Sequence, residues 1–149
     1  MGKNIVSFNY NGCFDQPDVL RYAKELNDRG YRIFILGRYA IVGDIIDLCD
    51  ENGITIDEEH IFLVPPTMEK IEFLEQNDFV FHLETDPIEI KNSEDTQMLC
   101  DVIQYGASWK KRCEEAIEAR CFICGGKFYH KLSCPTGKLT IYLNNDVNS

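Results

Sequence analysis

A chain of 149 residues, 44% hydrophobic and 27% charged, has the length and composition of one globular domain with room for a small appendage. Its formal net charge of −10 disfavours general binding to nucleic acid or to an anionic membrane, and no apolar run reaches the length needed to cross a bilayer. Residues 1–12, MGKNIVSFNYNG, carry neither the apolar stretch nor the small-residue cleavage site of a secretion signal, so a cytoplasmic location is expected.

Ile5-Val6-Ser7-Phe8 is a short apolar strand running into a polar turn, Asn9-Tyr10-Asn11-Gly12, whose residue types tolerate left-handed backbone angles. Pro17 suits the first position of a helix in which Val19, Tyr22, Ala23 and Leu26 recur at i, i+3, i+4 and i+7, and Gly30 supplies the stop. Residues 32–36, RIFIL, form a second strand, followed by a helix over about 41–51 with Ile41, Ile45, Leu48 and Cys49 on one face. Ile61-Phe62-Leu63-Val64 is a third strand closed by Pro65-Pro66, after which Thr67 can cap a helix striped by Met68, Ile71 and Leu74. A fourth strand, Phe79-Val80-Phe81-His82-Leu83, ends at Glu84-Thr85-Asp86-Pro87, and a weaker fifth lies near 98–103. Ser108 can cap a last helix with Trp109, Arg112, Cys113, Ala116 and Ile117 spaced for one face.

Strands alternating with helices imply parallel strands joined by right-handed crossovers, hence an α/β three-layer sandwich around a mainly parallel sheet. A boundary falls near Ala119. Residues 1–119 hold 11 Lys and Arg against 24 Asp and Glu, whereas residues 120–149 hold Arg120, Lys127, Lys131 and Lys138 against Asp146 alone. The expected organisation is therefore an acidic α/β domain over 1–119 and a small basic hairpin over 120–149.

In such sheets ligands bind outside the carboxyl ends of the strands. Here those ends carry Asn9 and Asn11, Gly37 and Arg38, and Glu84 and Asp86. IVSFNYNGCF resembles the signature of the haloacid dehalogenase (HAD) phosphatases, a hydrophobic strand followed by Asp-x-Asp-Gly-Thr. PDVLRYAKELNDRGYRIFILGR is similar to that family's next helix and strand, and MEKIEFLEQNDFVFHLETDP to the segment that supplies a lysine and then an acidic pair. Trp109 on the closing helix also suits its small members. The likeness covers roughly residues 3–119 and rests on order and spacing more than on identity.

What the resemblance implies is a site whose chemistry has been lost. The family attacks phosphorus with one carboxylate and moves protons with a second, around a magnesium ion. Matched position by position, Asn9 stands where the nucleophile belongs and Asn11 where the acid and base belongs. Neither amide is a competent nucleophile, a proton shuttle or a charged metal ligand. Leu36-Gly37-Arg38 offers no hydroxyl to a phosphate, Lys70 matches the lysine, and Glu84-Thr85 replaces a frequent Asp-Asp pair, with Asp86 next. A Mg²⁺ cofactor is not expected. Arg38 and Lys70 can still hold an anion, or serve only as ion-paired surface charges. His60 and His82 lack partners at metal-ligand spacing, and His82, between Phe81 and Leu83, reads as structural.

Seven cysteines cannot all pair within one chain, and without a secretion signal they read as reduced thiols. Cys121, Cys124, His130 and Cys134 fall within residues 121–134, a ligand set that can close a tetrahedral structural zinc site. The cluster resembles a retroviral-type zinc knuckle with its histidine displaced by one position. Phe122, Phe128, Tyr129 and Tyr142 lie among the tail's lysines, a mixture suited to single-stranded nucleic acid. The plain alternative is a β-hairpin whose cysteines pack as small hydrophobes. The functional expectation is an inactive HAD-like protein that binds another macromolecule, most naturally a protein with a basic surface. An atypical phosphohydrolase using Lys70, Glu84 and Asp86, and a nucleic-acid binder acting through the tail, are the alternatives.

Overall fold

The structure is a computed structural model that describes residues 4–96 and 100–120. Five strands, β1 (Ile5–Asn9), β2 (Arg32–Gly37), β3 (Ile61–Leu63), β4 (Phe81–Glu84) and β5 (Asp101–Gln104), form one sheet in the order β3-β2-β1-β4-β5. Every pairing is parallel. Among the described residues the α-helices are α1 (Pro17–Asp28), α2 (Val42–Glu51), α3 (Lys70–Glu75), α4 (Pro87–Glu94) and α5 (Trp109–Glu118).

The chain walks outward from β1 to β3 and then returns across the sheet to β4 and β5. Right-handed crossovers made in opposite directions place their helices on opposite faces. Side-chain parity agrees. Val6, Phe8, Ile33, Ile35, Phe81, Leu83 and Ile103 pack in one cluster with residues of α1, α2 and α5. The alternate residues Phe34, Leu36, Phe62 and Val102 pack in a second cluster with Phe73 and Leu74 of α3. The result is an α/β sandwich with helices on both faces.

Helix α1 follows its periodicity. Pro17 occupies the first turn, Val19, Tyr22, Ala23 and Leu26 are buried, and Gly30 takes a φ of +97° just beyond the end. Helix α5 likewise buries Cys113 and Ala116, while Arg112 faces solvent. No helix among the described residues is long and apolar enough to cross a membrane.

Three local expectations shift. Ile41 belongs to no buried stripe: it precedes α2 and is exposed. Thr67 does not cap α3, which begins at Lys70 after Glu69. The Arg38 guanidinium binds the carbonyls of Pro65 and Met68 at 2.8 and 2.7 Å, so a turn occupies the residues expected to start the helix. Ser108 precedes α5 but makes no side-chain cap bond, because it sits at a φ of +63°. The unexpected element is α4, started by Pro87 and by the Asp86 carboxylate, which accepts from the Ile88 N–H at 2.9 Å. The C-terminal hairpin and the proposed zinc ligands Cys121, Cys124, His130 and Cys134 lie outside the described residues.

Candidate functional site

Strand order reverses between β1 and β4, and such a switch point opens a crevice at the carboxyl ends of the strands. Ser7 lies opposite His82 and Phe8 opposite Leu83 in the parallel register. Successive residues point to opposite faces. Ser7, Asn9, His82 and Glu84 therefore project to the α3 side, where the first residue of α3, Lys70, comes down over them.

These side chains form one closed network. The Lys70 Nζ lies 2.8 Å from Asn9 Oδ1 and 3.0 and 3.1 Å from the two Glu84 oxygens. His82 Nε2 is 2.7 Å from Glu84 Oε1, and its Nδ1 is 2.8 Å from Ser7 Oγ. Glu84 Oε2 also accepts from the backbone N–H groups of Thr85 and Asp86 at 2.9 and 3.0 Å. Asn9 Nδ2 donates to Asn11 O at 2.9 Å and Thr85 Oγ1 at 2.6 Å. The centre of the network is shut away from water, with Lys70 3% exposed, Asn9 2%, His82 1% and Glu84 0%, while Asn11 and Thr85 reach its outer edge.

A buried ion pair is tolerable only when its remaining donors and acceptors are met, and these are. A carboxylate offers about four lone-pair sites, and Glu84 directs its oxygens at an ammonium, an imidazole and two amides. Burial alone would raise the Glu84 carboxyl, but His82, Lys70 and the Asp86 amide outweigh it and pull it down to about 2. An ionised Glu84 only accepts, so His82 donates from Nε2, and in a neutral ring Nδ1 then accepts the Ser7 hydroxyl.

Arg38 is likewise engaged. Besides the Pro65 and Met68 carbonyls it bonds Glu89 Oε1 at 2.7 Å, while Glu89 Oε2 accepts from the Lys70 N–H at 3.2 Å. Asn11 Oδ1 accepts from the Arg38 N–H at 3.1 Å, tying the turn after β1 to the end of β2. Asp86 caps α4. Of the residues singled out in sequence, Asn9, Lys70 and Glu84 meet in one contact set. Asn11 and Arg38 join at its rim, and Asp86 enters through its backbone.

Ser7, His82 and Thr85 complete the network without having been singled out as site residues. Their signal is a break in pattern. A parallel strand buried on both faces reads as a continuous apolar run, yet IVSFN and FHLE interleave polar residues at every second position. Ser7, His82 and Glu84 even stand in the order of a hydrolytic triad, but the Ser7 oxygen is 0% exposed, and no substrate reaches it. Burial pushes the thiols of Cys13, Cys49 and Cys113 up, so they stay protonated and are poor nucleophiles.

A magnesium ion does not fit these residues. Asn9 presents a neutral amide already bound to Lys70, and Glu84 is saturated. Among the described residues no group of three His, Cys, Asp or Glu side chains is placed to hold a metal ion. Outside the network, an open groove of about 420 Å³ runs past Arg38, Tyr39, Met68, Glu69, Asp86 and Ile88. Compared with family models, curated proteins and solved structures, the chain matches none.

Proposed function

We propose that this chain is a catalytically inactive relative of the HAD phosphatases that works by binding another macromolecule, a protein. The observation that supports this reading is the state of Asn9. The position expected of a nucleophilic carboxylate holds an amide that is 2% exposed and bonded to Lys70, Thr85 and Asn11. An amide fixed in this way has neither the charge to hold a metal nor the nucleophilicity to attack phosphorus. Its neighbour Glu84 is consumed by the lysine that would otherwise meet a phosphate.

The test is a phosphomonoesterase assay with p-nitrophenyl phosphate and a panel of sugar and nucleotide monophosphates, with and without Mg²⁺. Turnover no greater than that of the Lys70→Met variant is expected. Magnesium-dependent turnover that disappears on substituting Asn9 or Glu84 would overturn the proposal.

In the same reading the tail carries a structural zinc on Cys121, Cys124, His130 and Cys134, supported by their spacing alone. Native mass spectrometry of protein purified without added metal should then find one zinc per chain, lost from a Cys121→Ser/Cys124→Ser variant. A chain free of zinc, or one that keeps it after both substitutions, removes this part of the proposal.

A further inference from the structure

We infer that the groove at the mouth of the strand ends is a docking surface for a partner protein's basic segment that also carries aliphatic or aromatic side chains. This rests on the reading above and names where the binding takes place and with what.

Among the described residues the large hydrophobic side chains left exposed are Tyr39 at 89%, Ile88 at 70%, Ile41 at 66% and Leu63 at 39%. All four lie at the same end of the molecule. Tyr39 and Ile41 follow β2, Leu63 ends β3, and Ile88 opens α4 after β4. Tyr39 and Ile88 line the groove, with the half-buried Met68 between the elements that carry them. Tyr39 is held at a φ of +55°, a backbone angle that a bulky side chain adopts at a cost. Its ring lies in solvent and recovers none of that cost by packing within the chain.

Charge selects the occupant. Arg38, the groove's only basic lining residue, is neutralised by Glu89 at 2.7 Å, leaving the carboxylates of Glu69 and Asp86. An acidic rim around apolar side chains repels nucleic-acid phosphates and anionic lipid. It also repels a second copy presenting the same carboxylates, because like charges brought together disfavour a wrong partner. Lysines or arginines spaced between apolar anchors satisfy both features.

The test titrates full-length, ¹⁵N-labelled protein with a twelve-residue peptide alternating lysine and leucine with one tryptophan. Two control peptides replace every lysine by glutamate or every leucine by serine. The basic apolar peptide should bind, moving the amides of Tyr39, Met68 and Ile88, and binding should weaken at least tenfold between 50 and 300 mM salt. Ile88→Ser should weaken it about tenfold with an unchanged thermal midpoint. Equal binding of all three peptides, shifts confined to other surfaces, or no binding would overturn the inference, as would the same shifts produced by an oligonucleotide. So would a Lys127→Glu/Lys131→Glu/Lys138→Glu chain whose Tyr39 and Ile88 amides move without peptide, since the chain's own tail would then be the occupant. Failure here with no phosphatase turnover removes only the docking surface. Turnover accompanied by peptide binding removes the inactive reading and leaves the groove standing.

Discussion

On the face covered by α1, α2 and α5 the sheet presents Val6, Phe8, Ile33, Ile35, Phe81 and Leu83, each at most 1% exposed. The opposite face also has an apolar part, with Phe34, Leu36, Phe62 and Val102, but its β1 and β4 positions Ser7, Asn9, His82 and Glu84 are polar and each at most 2% exposed. Burial is equal and the chemistry is opposite. A side chain on the first face contributes roughly 1.5–3 kcal/mol simply by leaving water. At these four polar positions every group must first find a partner, and even a well-made buried ion pair often does no better than hydrocarbon of the same volume. The hydrocarbon of the two clusters thus accounts for the fold. The polar set is something the fold tolerates.

The two faces should respond differently to paired substitutions. Phe81→Ala should cost about 3–5 kcal/mol, from lost transfer and the cavity left behind. Lys70→Met should cost a similar ~3–5 kcal/mol, because it strands the Glu84 charge. Adding Glu84→Gln to Lys70→Met then removes that charge while keeping an acceptor for the Thr85 and Asp86 amides. It should recover at least ~1 kcal/mol, a coupling typical of contacting partners. Leu26→Ala added to Phe81→Ala recovers nothing and only destabilises further. Urea denaturation of all four variants decides it: a polar face that fails to recover would mean that Lys70 stabilises by packing rather than by charge.

Acid should likewise act on one face alone. The Glu84 carboxyl is held near 2 in the folded chain, below its ordinary value, so between those two pH values the unfolded chain binds the extra proton. Stability from this group is complete above the ordinary carboxylate range and is lost as pH falls toward 2. The shift corresponds to ~3 kcal/mol. Denaturation midpoints measured from pH 6 down to 2.5 should show this loss, with a smaller loss in Glu84→Gln. Equal acid sensitivity in the two proteins would place the effect elsewhere.

How far the sequence discloses this arrangement differs between the two faces. The apolar periodicity of 17–28 and the runs in β1 and β2 mark their elements directly, because hydrocarbon burial leaves a regular imprint. The network leaves half an imprint. Asn9, Lys70 and Glu84 are found by their places in a family-like order, whereas Ser7 and His82, which complete the bonding, look like ordinary interruptions of a strand. Helix α4 is hidden for a physical reason. Its one buried residue is Glu89, held by Arg38 and the Lys70 N–H, while Ile88 is exposed, so no hydrophobic stripe announces it. Ile41 misleads in the opposite sense, since an isoleucine in phase with Ile45 reads as core although it faces water.

The smallest predicted effect concerns the residue least explained by either face. Tyr39→Gly removes a bulky side chain from a positive φ, which relieves ~1–2 kcal/mol of backbone strain. It also loosens the unfolded chain, giving back roughly 0.5–1 kcal/mol. The net change should therefore lie between zero and about 1.5 kcal/mol on the stabilising side, and appear as a slightly higher urea midpoint at constant slope. An aromatic ring whose removal leaves the fold as stable or more so contributes nothing to folding that would justify its strain. If instead Tyr39→Gly costs more than ~1 kcal/mol, the ring packs against the body after all. The groove would then lose its anchor, and Tyr39 would join the residues that hold the fold together.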